Sequence, residues 1–160
     1  MPMKRAVFPG SFDPITTGHV DIVQRALPLF DEIVIAIGIN SQKSTLFSPE
    51  QRIQWIKDVF KAEPKVKVSK YEGLTIEFCK SCKANYIIRG IRSSADFEYE
   101  KTIAHLNHSM AQEIETILIL SRPELSSISS TIVREIIRAK GPAGKFLPIK
   151  IARHIEAAYK

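Results

Sequence analysis

Ile33-Val34-Ile35-Ala36-Ile37 is an unbroken run of apolar, mostly β-branched residues. A half-exposed strand would alternate apolar with polar residues, so this run suits a strand covered on both faces, as parallel sheets provide. Ala6-Val7-Phe8, Tyr86-Ile87-Ile88 and Thr116-Ile117-Leu118-Ile119-Leu120 read the same way, and Val66-Lys67-Val68 alternates like a strand. Helical spacing falls between these runs. Residues 18–29 place Val20, Ile22, Val23, Ala26 and Leu27 on one face. Ser48-Pro49-Glu50-Gln51 reads as an N-cap, a proline at the first helical position and a glutamine at the capping-box position. That helix carries Ile53, Trp55, Ile56, Val59 and Phe60 and stops before Pro64. Further helices are expected over 75–83, 96–111, 129–139 and 149–159. Strands separated by helices imply right-handed βαβ crossovers. The expected fold is α/β, a Rossmann-like, doubly wound, mostly parallel five-stranded sheet with helices on both faces. It is expected to form a single domain over residues 1–160. Ligands of such sheets lie at the carboxyl ends of the strands, near the switch in strand order.

Composition narrows the class of partner. A domain near 150 residues buries roughly 68–70% of its unfolded-chain surface, so this 160-residue chain needs no disulfide or metal staple. No segment approaches the ~18 apolar residues of a membrane span. Met1-Pro2-Met3-Lys4-Arg5 leads into a strand and not into a signal-peptide core. Two cysteines make no disulfide framework, so a reduced, cytoplasmic protein without a membrane partner is expected. The formal charge of +6 suits an anion such as nucleic acid or a phosphorylated small molecule. No stacking-aromatic array or helix-turn-helix pattern supports nucleic acid, and none is expected to bind.

The segments after the strands hold the chemistry. The first is Pro9-Gly10-Ser11-Phe12-Asp13-Pro14-Ile15-Thr16-Thr17-Gly18-His19. It is neither a P-loop nor a Gly-x-Gly-x-x-Gly turn. Yet it brings glycines, a hydroxyl and a histidine to a helix start, where free N–H groups and the positive dipole end favour phosphate. Gly10 would let a ligand approach the backbone, and Gly18 would let the helix pack closely. From position alone His19 is either a helix cap or an anion ligand. Lys43 reads alone as a solvated loop lysine. Arg89, at the end of a buried strand, is already a phosphate candidate.

Three motifs give the loop its context. Gly10-Ser11-Phe12-Asp13-Pro14 with Thr16-Thr17-Gly18-His19 resembles the Thr/His-x-Gly-His motif of the nucleotidyltransferase superfamily. Ile88-Arg89-Gly90-Ile91-Arg92 with Asp96-Phe97-Glu98-Tyr99-Glu100, and Ile128-Ser129-Ser130-Thr131 with Arg134, follow in order. Together they resemble the phosphopantetheine adenylyltransferase family across essentially the whole chain. The resemblance implies transfer of the adenylyl group of ATP to 4′-phosphopantetheine, giving dephospho-coenzyme A and pyrophosphate, the penultimate step of coenzyme A synthesis. It implies direct in-line attack with no protein nucleophile, His19 being the catalytic group that stabilises the transition state. Acceptor binding falls to Ser11, Lys43, Thr75 and Arg89. ATP binding falls to Ser11, Phe12, His19, Gly90, Ile91, Arg92 and Glu100, and to Leu125, Ser126, Ser127, Ile128, Ser129, Ser130 and Thr131. Ser11 stands where the family usually has Thr, which keeps the hydroxyl. The resemblance also implies Mg2+ arriving with ATP and no dedicated metal site, a homohexamer, and coenzyme A as a feedback ligand. A related transferase using another phosphorylated acceptor, such as nicotinamide mononucleotide, is the alternative.

Some features carry a plainer reading. Asp96, Glu98 and Glu100 also suit the first turn of a helix, where carboxylates meet the dipole. A cap accounts for one or two hydroxyls of residues 126–131, and bound phosphate would account for the rest. Cys79-Lys80-Ser81-Cys82 lies late in an expected helix, away from the helix start that activates a redox thiol, and is read as structural. His105 and His108 are read as an exposed or interface pair.

Overall fold

The structure, a computed structural model, describes residues 1–159. Five strands form one sheet: β1 (Arg5–Gly10), β2 (Glu32–Gly38), β3 (Val66–Tyr71), β4 (Tyr86–Ile91) and β5 (Glu115–Leu120). Their order is β3-β2-β1-β4-β5, and every pairing is parallel. The helices are α1 (Thr17–Ala26), α2 (Pro49–Val59), α3 (Thr75–Ser81), α4 (Ser94–Met110), α5 (Ser130–Arg138) and α6 (Ile149–Ala158). The expected doubly wound fold is present, with the strand order reversing at β1.

Side chains alternate between two cores because successive strand residues point to opposite faces. Phe8, Ile33, Ile35, Ile37 and Ile88 pack with Ile22, Trp55, Ile56, Val133 and Ile151 from α1, α2, α5 and α6. Val7, Val34, Ala36 and Ile87 pack on the other face with Ile76 and Cys79 from α3 and with Ile114. Helix α4 contributes little to either core, since Glu100 is its one buried residue.

Two local expectations are corrected. Arg89 and Gly90 lie inside β4 and not after it, because Arg89 pairs with Leu118, Gly90 with Ile119 and Ile91 with Leu120. The ladder to β5 holds this Arg-Gly step extended despite glycine's low strand preference. Ser48 caps α2 by accepting from the Gln51 N–H at 3.2 Å, but the Gln51 side chain does not complete the box. Its amide lies 3.3 Å from His154 Nε2, so it reaches towards α6.

Candidate active site

Two cavities open at the carboxyl ends of the strands, on either side of the β1/β4 switch point. The larger, about 460 Å³, is lined by β1, by Gly38 at the end of β2, by Asn40 and Lys43 after it, by Tyr71 and Thr75, and by Tyr99, Ile103 and Asn107 of α4. The smaller, about 360 Å³, is lined by the β1–α1 loop, His19, Gly90, Arg92, Leu125, residues 128–131 and Arg134. Pro9, Gly10, Ser11, Lys43, Arg89 and Glu100 border both. A molecule in one cavity would thus meet a molecule in the other across Ser11, Lys43 and Arg89.

The shared wall depends on a folded-back turn. Phe12 has φ +46°, an uncommon conformation for a residue with a side chain, and is buried. Its ring stands edge-on to His19, with centroids 4.9 Å apart, and edge-on to Phe8 at 5.3 Å. A Cβ on Gly10 would come within 3.1 Å of that ring, so any larger residue there would press the Phe12 ring out of place by a few tenths of an ångström. Gly90 is constrained similarly, since its Cβ would meet Ile22 Cγ1 at 3.2 Å. At Gly18 a Cβ would find only ordinary contacts, so the close packing expected there occurs at these two positions instead.

His19 is a cap and a cavity residue at once. Thr16 Oγ1 accepts from the His19 N–H at 3.4 Å, and the Thr16 N–H donates to His19 Nδ1 at 3.0 Å. With Nδ1 accepting, the proton of the neutral ring resides on Nε2. Burial, then the nearby Arg89 and Arg92 guanidinium groups, pull the imidazole down to about 4. The ring therefore stays uncharged at neutral pH and offers a single N–H donor.

The arginines are oriented by carboxylates. Arg89 makes a two-pronged pair with Glu100, Nε to Oε2 at 2.9 Å and Nη2 to Oε1 at 2.7 Å, and Nη1 donates to Pro9 O at 2.6 Å. Glu100 is buried and borders both cavities, with both oxygens engaged by Arg89. Arg92 donates from its backbone N–H and from Nε to Asp96 Oδ2, at 3.0 and 3.1 Å. Lys43 is exposed on the loop after β2 and borders both cavities.

The hydroxyl-rich segment divides. Ser129 caps α5 through the Ile132 N–H, Ser130 Oγ donates to Pro14 O at 2.8 Å, and Thr131 Oγ1 accepts from Arg134 Nη2 at 3.2 Å. All three line the smaller cavity with Ile128 and Leu125. Ser126 Oγ donates to Pro123 O and, like Ser127 and Ile91, is not among the lining residues. Intrachain partners thus account for several hydroxyls that the sequence reading gave to phosphate. Thr75 lines the larger cavity, 2.8 Å from Tyr71 Oη.

Sequence reasoning did not assign Tyr71, Tyr99, Asn107 or Arg134 to the site. Arg134 had a signal, one turn beyond the hydroxyl cluster, and Tyr99 lies inside the Asp96–Glu100 motif; Tyr71 and Asn107 had none, since only the sheet edge brings them together. The thiols keep their structural reading. Burial pushes Cys79 up to about 12 and also raises Cys82, so neither is an activated nucleophile.

The chain is similar to known proteins over most of its length. The cytidylyltransferase-like family matches residues 7–136. The chain is 53% identical over 146 residues to a phosphopantetheine adenylyltransferase of Flavobacterium psychrophilum, covering 91% of this chain and 96% of that one. A phosphopantetheine adenylyltransferase of Bacteroides fragilis is 50% identical over 146 residues, 91% of this chain and 97% of its own. One from Leptospira biflexa is 50% identical over 133 residues, 83% of each chain.

Proposed function

The chain belongs to the phosphopantetheine adenylyltransferase family, within the cytidylyltransferase-like group, and from that premise we propose how its two cavities share the reaction. The enzyme transfers the adenylyl group of ATP to 4′-phosphopantetheine, forming dephospho-coenzyme A and pyrophosphate. The observation that carries the proposal is the common wall, where Ser11, Lys43 and Arg89 border both cavities. The acceptor occupies the larger cavity, with its phosphate at Lys43, Arg89 and Ser11 and its arm along Thr75. ATP occupies the smaller, against Ser11, Phe12, His19, Gly90, Arg92 and the start of α5.

An oxygen of the acceptor phosphate attacks the α-phosphorus of ATP. The new P–O bond forms as the bond to the bridging oxygen of pyrophosphate breaks. A phosphate needs no deprotonation to act as nucleophile near neutral pH, so the protein supplies positioning and charge stabilisation. Lys43, Arg89 and Arg92 offset the repulsion between the two anions. The neutral His19 donates its Nε2–H to an α-phosphate oxygen as charge builds there. Mg2+ enters as part of the ATP substrate; among the described residues the cavity carboxylates Asp96 and Glu100 are each committed to an arginine.

Three further features belong to this reading. Tyr99, Ile103, Leu106 and Met110 form an exposed apolar stripe along α4, which supports a homohexamer assembled partly through that helix. Coenzyme A, with a nucleotide and a pantetheine arm, is a feedback ligand for the same pair of cavities. The enzyme works in the cytoplasm, where its two thiols remain reduced. Among the described residues no helix is long and apolar enough to cross a membrane.

Purified protein should release pyrophosphate from ATP when given 4′-phosphopantetheine. Release with nicotinamide mononucleotide and none with 4′-phosphopantetheine would overturn the acceptor assignment.

A further inference from the structure

The loop that carries Ser11 and leads to His19 is separate in sequence from the loop that carries Lys43. A buried carboxylate joins them. Asp13 is 1% exposed; its Oδ1 accepts from the Phe47 N–H and its Oδ2 from the Leu46 N–H, both at 2.9 Å. Among the described residues these are the hydrogen bonds that connect segment 11–16 to segment 39–48. The same carboxylate lies 3.8 Å from Arg134, whose Nη1 donates to the Asp13 carbonyl at 2.9 Å. Arg52, 3% exposed, supports the junction from α2 by donating Nη1 to Ser11 O at 2.5 Å and Nε to Ser48 O at 3.4 Å.

We infer that Asp13 is a positioning residue that fixes the Lys43 loop against the Ser11–His19 loop and so sets the separation of the two reacting phosphates. The tether is specific to a carboxylate. Two backbone N–H donors point at it, and each needs an acceptor once buried. An Asn at this position can satisfy one of them and turns an NH2 donor towards the other. The segment between Ile39 and Ser48 contains no helix or strand; the Phe47 ring is seated in the core against Trp55, and the Asp13 carboxylate holds the backbone of Leu46 and Phe47. Because Lys43 lies in that segment, loss of the anchor frees Lys43 from the common wall while leaving its charge in place. This rests on the acceptor-binding role proposed for Lys43.

The test is a double-mutant cycle on the acceptor reaction with Asp13→Asn and Lys43→Ala. Each single substitution is expected to lower kcat/KM for 4′-phosphopantetheine by about 10–100-fold, the scale of one lost charge-assisted hydrogen bond. If Asp13 acts by placing Lys43, adding D13N to K43A should cost less than about threefold more. Losses that multiply would mean that Asp13 acts independently of Lys43, and would overturn the inference. If K43A alone leaves acceptor kinetics unchanged, the role of Lys43 fails and not the tether. The tether itself is read separately, by amide hydrogen exchange in the unmodified protein, which also serves if D13N does not fold. The Leu46 and Phe47 amides should exchange as slowly as core strand amides, although they lie in a loop. Exchange at the rate of an open loop would refute the anchor.

Discussion

Thr16 and His19 cap each other across the first turn of α1, the backbone N–H of Thr16 donating to Nδ1 and the Thr16 hydroxyl accepting from the His19 N–H. The motif that looks catalytic in the sequence is therefore also the helix start. One interaction sets the ring's place and its tautomer, leaving Nε2–H as the donor beside the smaller cavity.

The charge state of His19 gives a pH prediction. Its folded value of about 4 lies below the ordinary 6.5. An NMR titration of the free enzyme should show this ring neutral at pH 6, with a midpoint near 4. Between 6.5 and 4 the unfolded chain takes up a proton that the folded ring refuses, so His19 lowers stability as pH falls through that window. Above 6.5 it has no such effect. A midpoint at or above 6.5 would refute the neutral ring.

Substitutions at the two capping partners should separate their roles. His19→Ala should lower kcat by at least about 100-fold, the scale of removing one preorganised donor at a developing charge. Thr16→Val removes the hydroxyl but keeps the N–H that faces Nδ1. It should cost about 1–2 kcal/mol of stability as a lost cap, with a smaller loss of kcat than His19→Ala. Steady-state kinetics with thermal melts decide; equal losses of kcat would contradict the assignment.

Glu100 and Arg89 form a two-pronged pair in which the carboxylate is buried and the guanidinium is one-third exposed. Glu100→Gln keeps one acceptor and presents an NH2 to the arginine. We expect a loss of about 1–3 kcal/mol, because solvent reaching Arg89 softens the penalty of the broken pair. KM for 4′-phosphopantetheine should rise about tenfold or more as Arg89 loses its orientation. A change confined to the KM for ATP would instead assign Glu100 to the nucleotide.

The α4 stripe predicts assembly. Leu106 is 55% exposed, so Leu106→Glu costs little in an isolated chain. If α4 packs between subunits, the substitution buries a charge at the contact and shifts the protein to smaller species. Light scattering after gel filtration should report a hexamer for the unmodified chain. An unchanged mass for Leu106→Glu would exclude this face from the interface.

Local sequence pattern is enough to place the elements and the loops that carry chemistry. Apolar runs and helical spacing are local, and each strand and α-helix found lies within a few residues of its expected place. The cap at Ser48 and the cluster at Ser129–Thr131 are local in the same sense. The limits of β4 were less legible, because its last residues are held by β5 and not by their own preference. Which loops meet follows from long-range packing. Asp13 reaches Leu46 and Phe47 over 33 and 34 residues, Arg52 reaches Ser11 over 41, and Ser130 reaches Pro14 over 116. The same packing also decided that Glu100 spends both oxygens on Arg89. No local pattern encodes such partners. They are selected when the parallel sheet brings strand ends together, and a buried polar group must then find its hydrogen bonds among whatever that packing puts within reach.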